Sequence, residues 1–183
     1  TYAGSLLSVS QGPITVTADA KSKEYGAADP QLTYSLTTGS LVGSDTLTGT
    51  LSRASGDSVG TYAINQGTLA NSNYDISFVN GTMSITRATQ GALTVTTSQV
   101  VYGTSVVLGS AGGSGTGGVT YSLNSGGTAN GCSLSSSAAD AVLTATSSGS
   151  CFVVATKDSD ANYNAAVSTN LVIEFGATLP GAP

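Results

Sequence analysis

The sequence predicts an all-β protein built as two tandem antiparallel β-sandwiches, and three features carry that expectation. Short runs alternate apolar and hydroxyl side chains with period two, the periodicity of a half-buried strand. No segment places apolar residues at the i, i+3, i+4, i+7 spacing of an amphipathic helix. The motifs of the first half recur, in the same order, in the second.

The strands follow in order. Ile14–Thr17 reads Ile-Thr-Val-Thr and Leu93–Thr96 reads Leu-Thr-Val-Thr. Further runs at Thr61–Ile64, Tyr74–Val79, Val142–Thr146, Phe152–Thr156 and Asn170–Phe175 stand between Gly, Asn and Ser clusters, the spacing of a sandwich or barrel. Ile76–Val79 and Thr82–Ile85 flank Asn80-Gly81, which predicts a hairpin closed by a two-residue type I′ turn. The repeat shows in Tyr25-Gly26 and Tyr102-Gly103, in Thr33–Leu36 and Thr120–Leu123, and in Asn73-Tyr74-Asp75 and Asn162-Tyr163-Asn164. Its register jumps at Gly109–Gly118, which reads as a flexible Gly-rich insertion in the second copy. The expected domains are residues 13–87 and 88–175. Residues 1–12 read as the end of a preceding unit, Arg87–Gly91 as a short linker, and 176–183 as the linker to a following module.

Period two also assigns a core. Ile14, Val16, Leu32, Leu36, Leu47, Leu51, Ile64, Ile76, Phe78 and Ile85 are expected to fill the first copy. Val95, Val106, Leu108, Leu123, Leu143, Phe152, Val154, Leu171 and Ile173 are expected to fill the second.

Composition narrows function. The 183 residues include 28 Ser, 26 Thr and 24 Gly but no His and no Trp, so the commonest general base and metal ligand is missing. Five Lys and Arg against ten Asp and Glu give a net charge of −5, with no electrostatic hold on nucleic acid or an anionic membrane. The expectation is a protein that is not an enzyme.

The candidate motifs are few. Gly56-Asp57-Ser58-Val59-Gly60 fits G-x-S-x-G, but strands on both sides make it a turn rather than a nucleophile elbow. Gly113, Gly115 and Gly118 fit G-x-G-x-x-G with a strand, not a helix, behind them, so no phosphate cradle is expected and the stretch reads as a mobile loop. Asp158-Ser159-Asp160-Ala161-Asn162 opens like an EF-hand loop, yet Tyr163 and Thr169 stand where that loop needs Gly and Glu. What remains there is a weak calcium site on Asp158, Asp160 and backbone carbonyls, set against a solvated loop; no other cofactor is expected. Asp45 and Asp57 are lone carboxylates, and Tyr74 and Tyr163 read as packing corners whose hydroxyls bond nearby backbone. Cys132 and Cys151 form an even pair, read as a structural disulfide in an oxidising compartment, with a buried thiol pair as the alternative. Tyr62 stands opposite Cys151 in the repeat and is expected to fill the disulfide's place. Lys21, Lys23 and Lys157 are the candidates for an isopeptide staple to a buried Asn, and no spacing selects a pair. The recurrent Thr-x-Thr (Thr15 and Thr17, Thr94 and Thr96) reads as outward-facing strand threonine, with an ice- or glycan-binding array as the alternative.

Ile14–Ile85 resembles the MBG family of bacterial surface-protein repeats. The likeness rests on Thr17–Gly26, Ala28–Tyr34, Gly43–Arg53, Val59–Tyr62 and Asn73–Ile76, several motifs in the right order. Residues 92–175 are similar to a bacterial Ig-like repeat, through Gly113–Gly117, the two Cys and Ala161–Ala165. The resemblances imply part of a large, adhesin-like, extracellular protein of the bacterial surface, and they imply no particular ligand. The expected function is a monomeric structural spacer or stalk whose partners are the neighbouring β-sandwich domains of its own chain. The alternative is a module binding a glycan, an ice surface or a protein through the Gly-rich loop or the cleft between copies.

Overall fold

The computed structural model describes residues 8–97 and 99–176 and is all-β, with no helix among the described residues. The chain divides into two compact units, Thr1–Thr86 and Arg87–Pro183. The expected flanking segments lie largely outside the described residues.

The described residues of the first unit form seven strands: β1 (Gly12–Ala18), β2 (Lys21–Glu24), β3 (Tyr34–Thr38), β4 (Ser52–Arg53), β5 (Gly60–Asn65), β6 (Tyr74–Val79) and β7 (Gly81–Thr86). They form two sheets, β3-β1-β6 and β2-β7-β5-β4. β1 buries Ile14, Val16 and Ala18 and turns Thr15 and Thr17 toward the surface, as its period-two sequence requires. Thr17 Oγ1 meets Thr37 Oγ1 of β3 at 3.0 Å, a cross-strand bond that uses one of the Thr-x-Thr hydroxyls.

The expected hairpin at Asn80-Gly81 is not there. β6 pairs with β1, and β7 pairs with β2 and β5, so Asn80 is the joint at which the chain leaves one sheet for the other. Both β1·β6 and β2·β7 are parallel, which corrects the expectation of purely antiparallel sheets. The separation is 62 residues from Gly12·Tyr74 to Thr17·Val79 and again from Lys21·Met83 to Glu24·Thr86. Two long strand paths, 12–24 and 74–86, therefore run side by side through both sheets in unbroken register. They pass so closely that a Cβ on Gly81 would lie 2.7 Å from the Ala18 carbonyl oxygen. Glycine is needed there for space, since its φ lies outside the left-handed region.

Two small cores result. Ile14, Val16, Leu69 and Tyr74 form one; Ala18, Ile64, Met83 and Ile85 form the other, and Leu51 and Phe78 pack against both. Leu36 departs from its expected core role: β3 is an edge strand, and Leu36 stays 37% exposed.

The second unit contains β8 (Leu93–Val95), β9 (Gln99–Val101), β10 (Ser105–Val107), β11 (Ser110–Gly112), β12 (Val119–Asn124), β13 (Ser133–Leu134), β14 (Val142–Thr144), β15 (Gly149–Lys157), β16 (Ala166–Val167) and β17 (Leu171–Gly176). The main sheet runs β12-β15-β17-β9 with β16 beside β15; β10-β14-β13 and β11-β8 complete the unit around one core. β9·β17 is parallel at a separation of 75 residues, and so is the isolated bridge Ala88·Tyr163. Among the described residues, the first unit's parallel pairing thus recurs at the two ends of the corresponding paths.

Three further expectations are corrected here. Thr33–Leu36 and Thr120–Leu123 are not equivalent, because β3 pairs with β1 whereas β12 pairs with β15. It is β11, inside the expected Gly-rich insertion, that pairs with β8 as β3 does with β1. On β15 the buried apolar residues are Cys151, Val153 and Ala155, so Phe152 and Val154 lie half-buried on the opposite face; Leu123, near the end of edge strand β12, is 37% exposed. A one-residue change of parity moves every side chain of a strand to the other face.

Candidate functional site

The polar chemistry gathers at three places. In the first unit, Arg53 on β4 places Nε 2.5 Å and Nη2 3.3 Å from the two oxygens of Asp29, and Nη2 2.7 Å from Asp57. Its Nη1 donates to the carbonyls of Ala54 and Gly56, and its guanidinium stands 5.5 Å from the centroid of the Tyr62 ring. Lys23 on β2 joins the cluster, with Nζ 2.6 Å from Asp29 and donating to the Ala27 carbonyl. Arg53, then Lys23, hold the Asp29 carboxyl down to about 2. This network fastens the turn 53–58, so Gly56–Gly60 is a braced turn, and the Tyr62 hydroxyl closes it by donating to the Ser58 carbonyl.

Lys23 was one of three isopeptide candidates, and the fold sets it against Asp29. The geometry there is that of an ion pair. The expected staple needs a buried Asn beside the lysine, whereas the group that faces Lys23 is a carboxylate that Arg53 keeps ionised.

In the second unit, Asp160 is the hub. Its Oδ1 accepts the N–H groups of Asn162 and Tyr163, each at 2.8 Å. Its Oδ2 accepts the N–H of Thr116 at 2.6 Å and the Thr116 hydroxyl at 3.1 Å. These donors, the Thr116 amide foremost, hold its carboxyl at about 2. Asp158 contributes its backbone: the carbonyl accepts from Gln90 Nε2, and the N–H donates to Gly118. The two calcium candidates thus lie together on the loop that receives the Gly-rich stretch, and the lone pairs of Asp160 are occupied by protein donors. Among the described residues no group of three or more His, Cys, Asp or Glu is arranged to hold a metal.

The Gly-rich stretch is pinned rather than loose. Besides Thr116, Gly115 donates its N–H to Gln90 Oε1, and a Cβ on Gly117 would overlap the Asp158 carbonyl. Gln90, only 6% exposed, also donates to the Asn164 carbonyl, so the expected linker 87–91 is part of the second unit.

The third place is the disulfide. Cys132 and Cys151 are bonded, with Cα atoms 6.0 Å apart, and Cys151 is fully buried on β15. Closing a loop of this length stabilises by roughly 3 kcal/mol in the chain-entropy model. Cys151 pairs with Ile173 as Tyr62 pairs with Met83, so Tyr62 does stand in the corresponding place.

Tyr74 behaves as a packing corner: its hydroxyl accepts the Val42 N–H at 2.7 Å and donates to Asp45 at 2.9 Å. Sequence reasoning missed Asp29, Arg53 and Gln90. Scarcity of charge was the available signal, since Lys23 and Arg53 are two of only five cations in the chain.

No curated protein matches the chain. Residues 14–84, which take in the Tyr25-Gly26-Ala27 turn and nearly all of the first unit's strands, match the family model of the MBG domain (YGX type).

Proposed function

We propose that this chain is a non-catalytic, tension-bearing spacer from a large, extracellular, adhesin-like bacterial surface protein, flanked by other β domains of the same polypeptide. The match at residues 14–84 supports the setting, because MBG domains are typical of surface repeat proteins. The observation that carries the mechanical reading is the parallel pairing of the entering and leaving strand paths in each unit. Parallel neighbours pulled from opposite chain ends slide along each other, so their hydrogen bonds share the load. Pulled from one common end, the same strands peel bond by bond.

The binding alternative needs free groups on the Gly-rich loop, and the amides of Gly115 and Thr116 already serve Gln90 and Asp160. Tyr34, 36% exposed beside a cavity of about 310 Å³ lined by Leu32, Leu51 and Leu69, is the place at which a glycan would be sought.

The test is pulling geometry. With handles at residues 12 and 86 the first unit is expected to resist severalfold higher force than with handles at residues 27 and 86, where β2 and β7 peel from the Glu24·Thr86 end. Equal forces in the two geometries would overturn the reading.

A further inference from the structure

Resting on that tension-bearing reading, we propose a further function for the second unit: it is the yielding element of the pair, and its disulfide sets how far it can extend. The two units stand in series along one chain and carry the same tension. In the first, the strand paths are bonded at six residue pairs of β1·β6 and four of β2·β7. In the second, the bonded backbone pairs among the described residues are the bridge Ala88·Tyr163 and three pairs of β9·β17, with Gln90 donating to the Asn164 carbonyl beside the bridge. β8, which lies between those ends, has left the ladder to pair with β11. A sheared ladder of four pairs gives way before one of ten, because each bond carries a larger share of the load.

The disulfide does not alter that order. Cys132 lies just before β13, and Cys151 lies on β15; neither is on β9 or β17, the strands that separate first. The bond therefore cannot delay rupture of the ladder. It acts afterwards: once β17 has left β15 at Cys151·Ile173, the 19-residue separation between the cysteines stays bridged by 6.0 Å and cannot pay out. The opened unit keeps β13, β14 and the start of β15 on one closed loop, a nucleus from which it can reclose when tension drops.

The experiment holds the full, oxidised chain by its two ends in an optical trap, before and after a phosphine reductant is added. Two opening events are expected. The lower-force event should lengthen after reduction by roughly 60 Å, the contour of the released loop at ~3.6 Å per residue less the width of the bond, at unchanged force. The higher-force event should keep its length. The paired variant Cys132→Ser with Cys151→Ser should give the reduced trace without reductant. Should it fail to fold, the reductant arm, applied to chains already folded, decides alone. Lengthening of the higher-force event, or of neither, overturns the proposal. The tension-bearing reading fails differently, if both events occur at the force of peeling, whichever of them lengthens.

Discussion

The turn that leads into the Asn-Tyr motif is built twice, once on Asn71 and once on Asp160, and the two versions solve one problem with different atoms. Asn71 Oδ1 accepts the Asn73 N–H at 2.9 Å, and its Nδ2 donates to the Thr46 carbonyl at 2.8 Å. Asp160 Oδ1 accepts the Asn162 and Tyr163 N–H groups, while its Oδ2 meets the Thr116 N–H and hydroxyl. In both units the turn then passes its Asn carbonyl to the entering path, at Gly12 in one and Ala88 in the other. What differs is the neighbouring loop, which presents a carbonyl in the first unit and donors in the second. An amide suits the former and a carboxylate the latter. The Asp158-Ser159-Asp160 spacing that resembles the start of a calcium loop is, on this comparison, half of an internal hydrogen-bond match.

The largest expected effect comes from breaking the closer of the two ladders. Gly81→Val forces a branched side chain against the Ala18 carbonyl and should cost the first unit about 3 kcal/mol, lowering its Tm by roughly 10–20 °C. Leu171 begins β17 as Gly81 begins β7, and the substitution leaves that unit untouched, so the second unit's transition should stay in place. Calorimetry resolving two transitions checks this, and equal shifts in both would remove the crossing as the cause.

A smaller effect is expected from exchanging the turn residues. Asn71→Asp places a carboxylate against the Thr46 carbonyl and should destabilise the first unit by about 1–2 kcal/mol. Asp160→Asn turns an amide N–H toward the Thr116 N–H and should lower only the second unit's Tm. Unchanged transitions in both variants would show that the loops adapt to either side chain.

Acid gives the smallest and most discriminating test. Asp29 and Asp160 are both held near 2, below the ordinary 3.8, so each contributes stability that is present above about pH 4 and lost as pH falls toward 2. The causes differ, and salt separates them. Asp29 depends on Arg53 and Lys23, so 1 M NaCl should shrink the acid loss of the first unit. Asp160 depends on uncharged donors, the N–H groups of Thr116, Asn162 and Tyr163 and the Thr116 hydroxyl, and the acid loss of the second unit should persist. Identical salt dependence by thermal melts at pH 2.5 and 5 would contradict this division.

Strand existence was legible wherever apolar and hydroxyl residues alternate, as at Ile14–Thr17 and Leu93–Val95, because parity and burial coincide there. The expected strand at Phe152–Thr156 is present within β15, but the choice of its buried face failed, because both faces are apolar there and period two has no contrast to read. The disulfide held the missing parity: a buried Cys151 puts Val153 and Ala155 on its own face. Asn80-Gly81 carried the local chemistry of a hairpin, but pairing with β1 and β2, 62 residues upstream, overrode it. Of the polar sites, the disulfide and the Asp158–Asp160 loop were visible as local spacings. The Arg53 network was not, because Asp29 and Arg53 lie 24 residues apart and only the fold brings them together.

The parallel pairing also governs when the first unit can come into being. Each of its ladder bonds joins residues 62 apart, so strand path 12–24 has no permanent neighbour on that side until path 74–86 has been made and delivered. Such sequence-distant pairing is slow to form. A chain emerging from its amino end would carry β1 with an open edge for nearly the whole length of the unit. The uncharged, hydroxyl-rich run Ile14–Thr17 then bears the risk of pairing with a copy of itself, and the arrival of the last strand ends it.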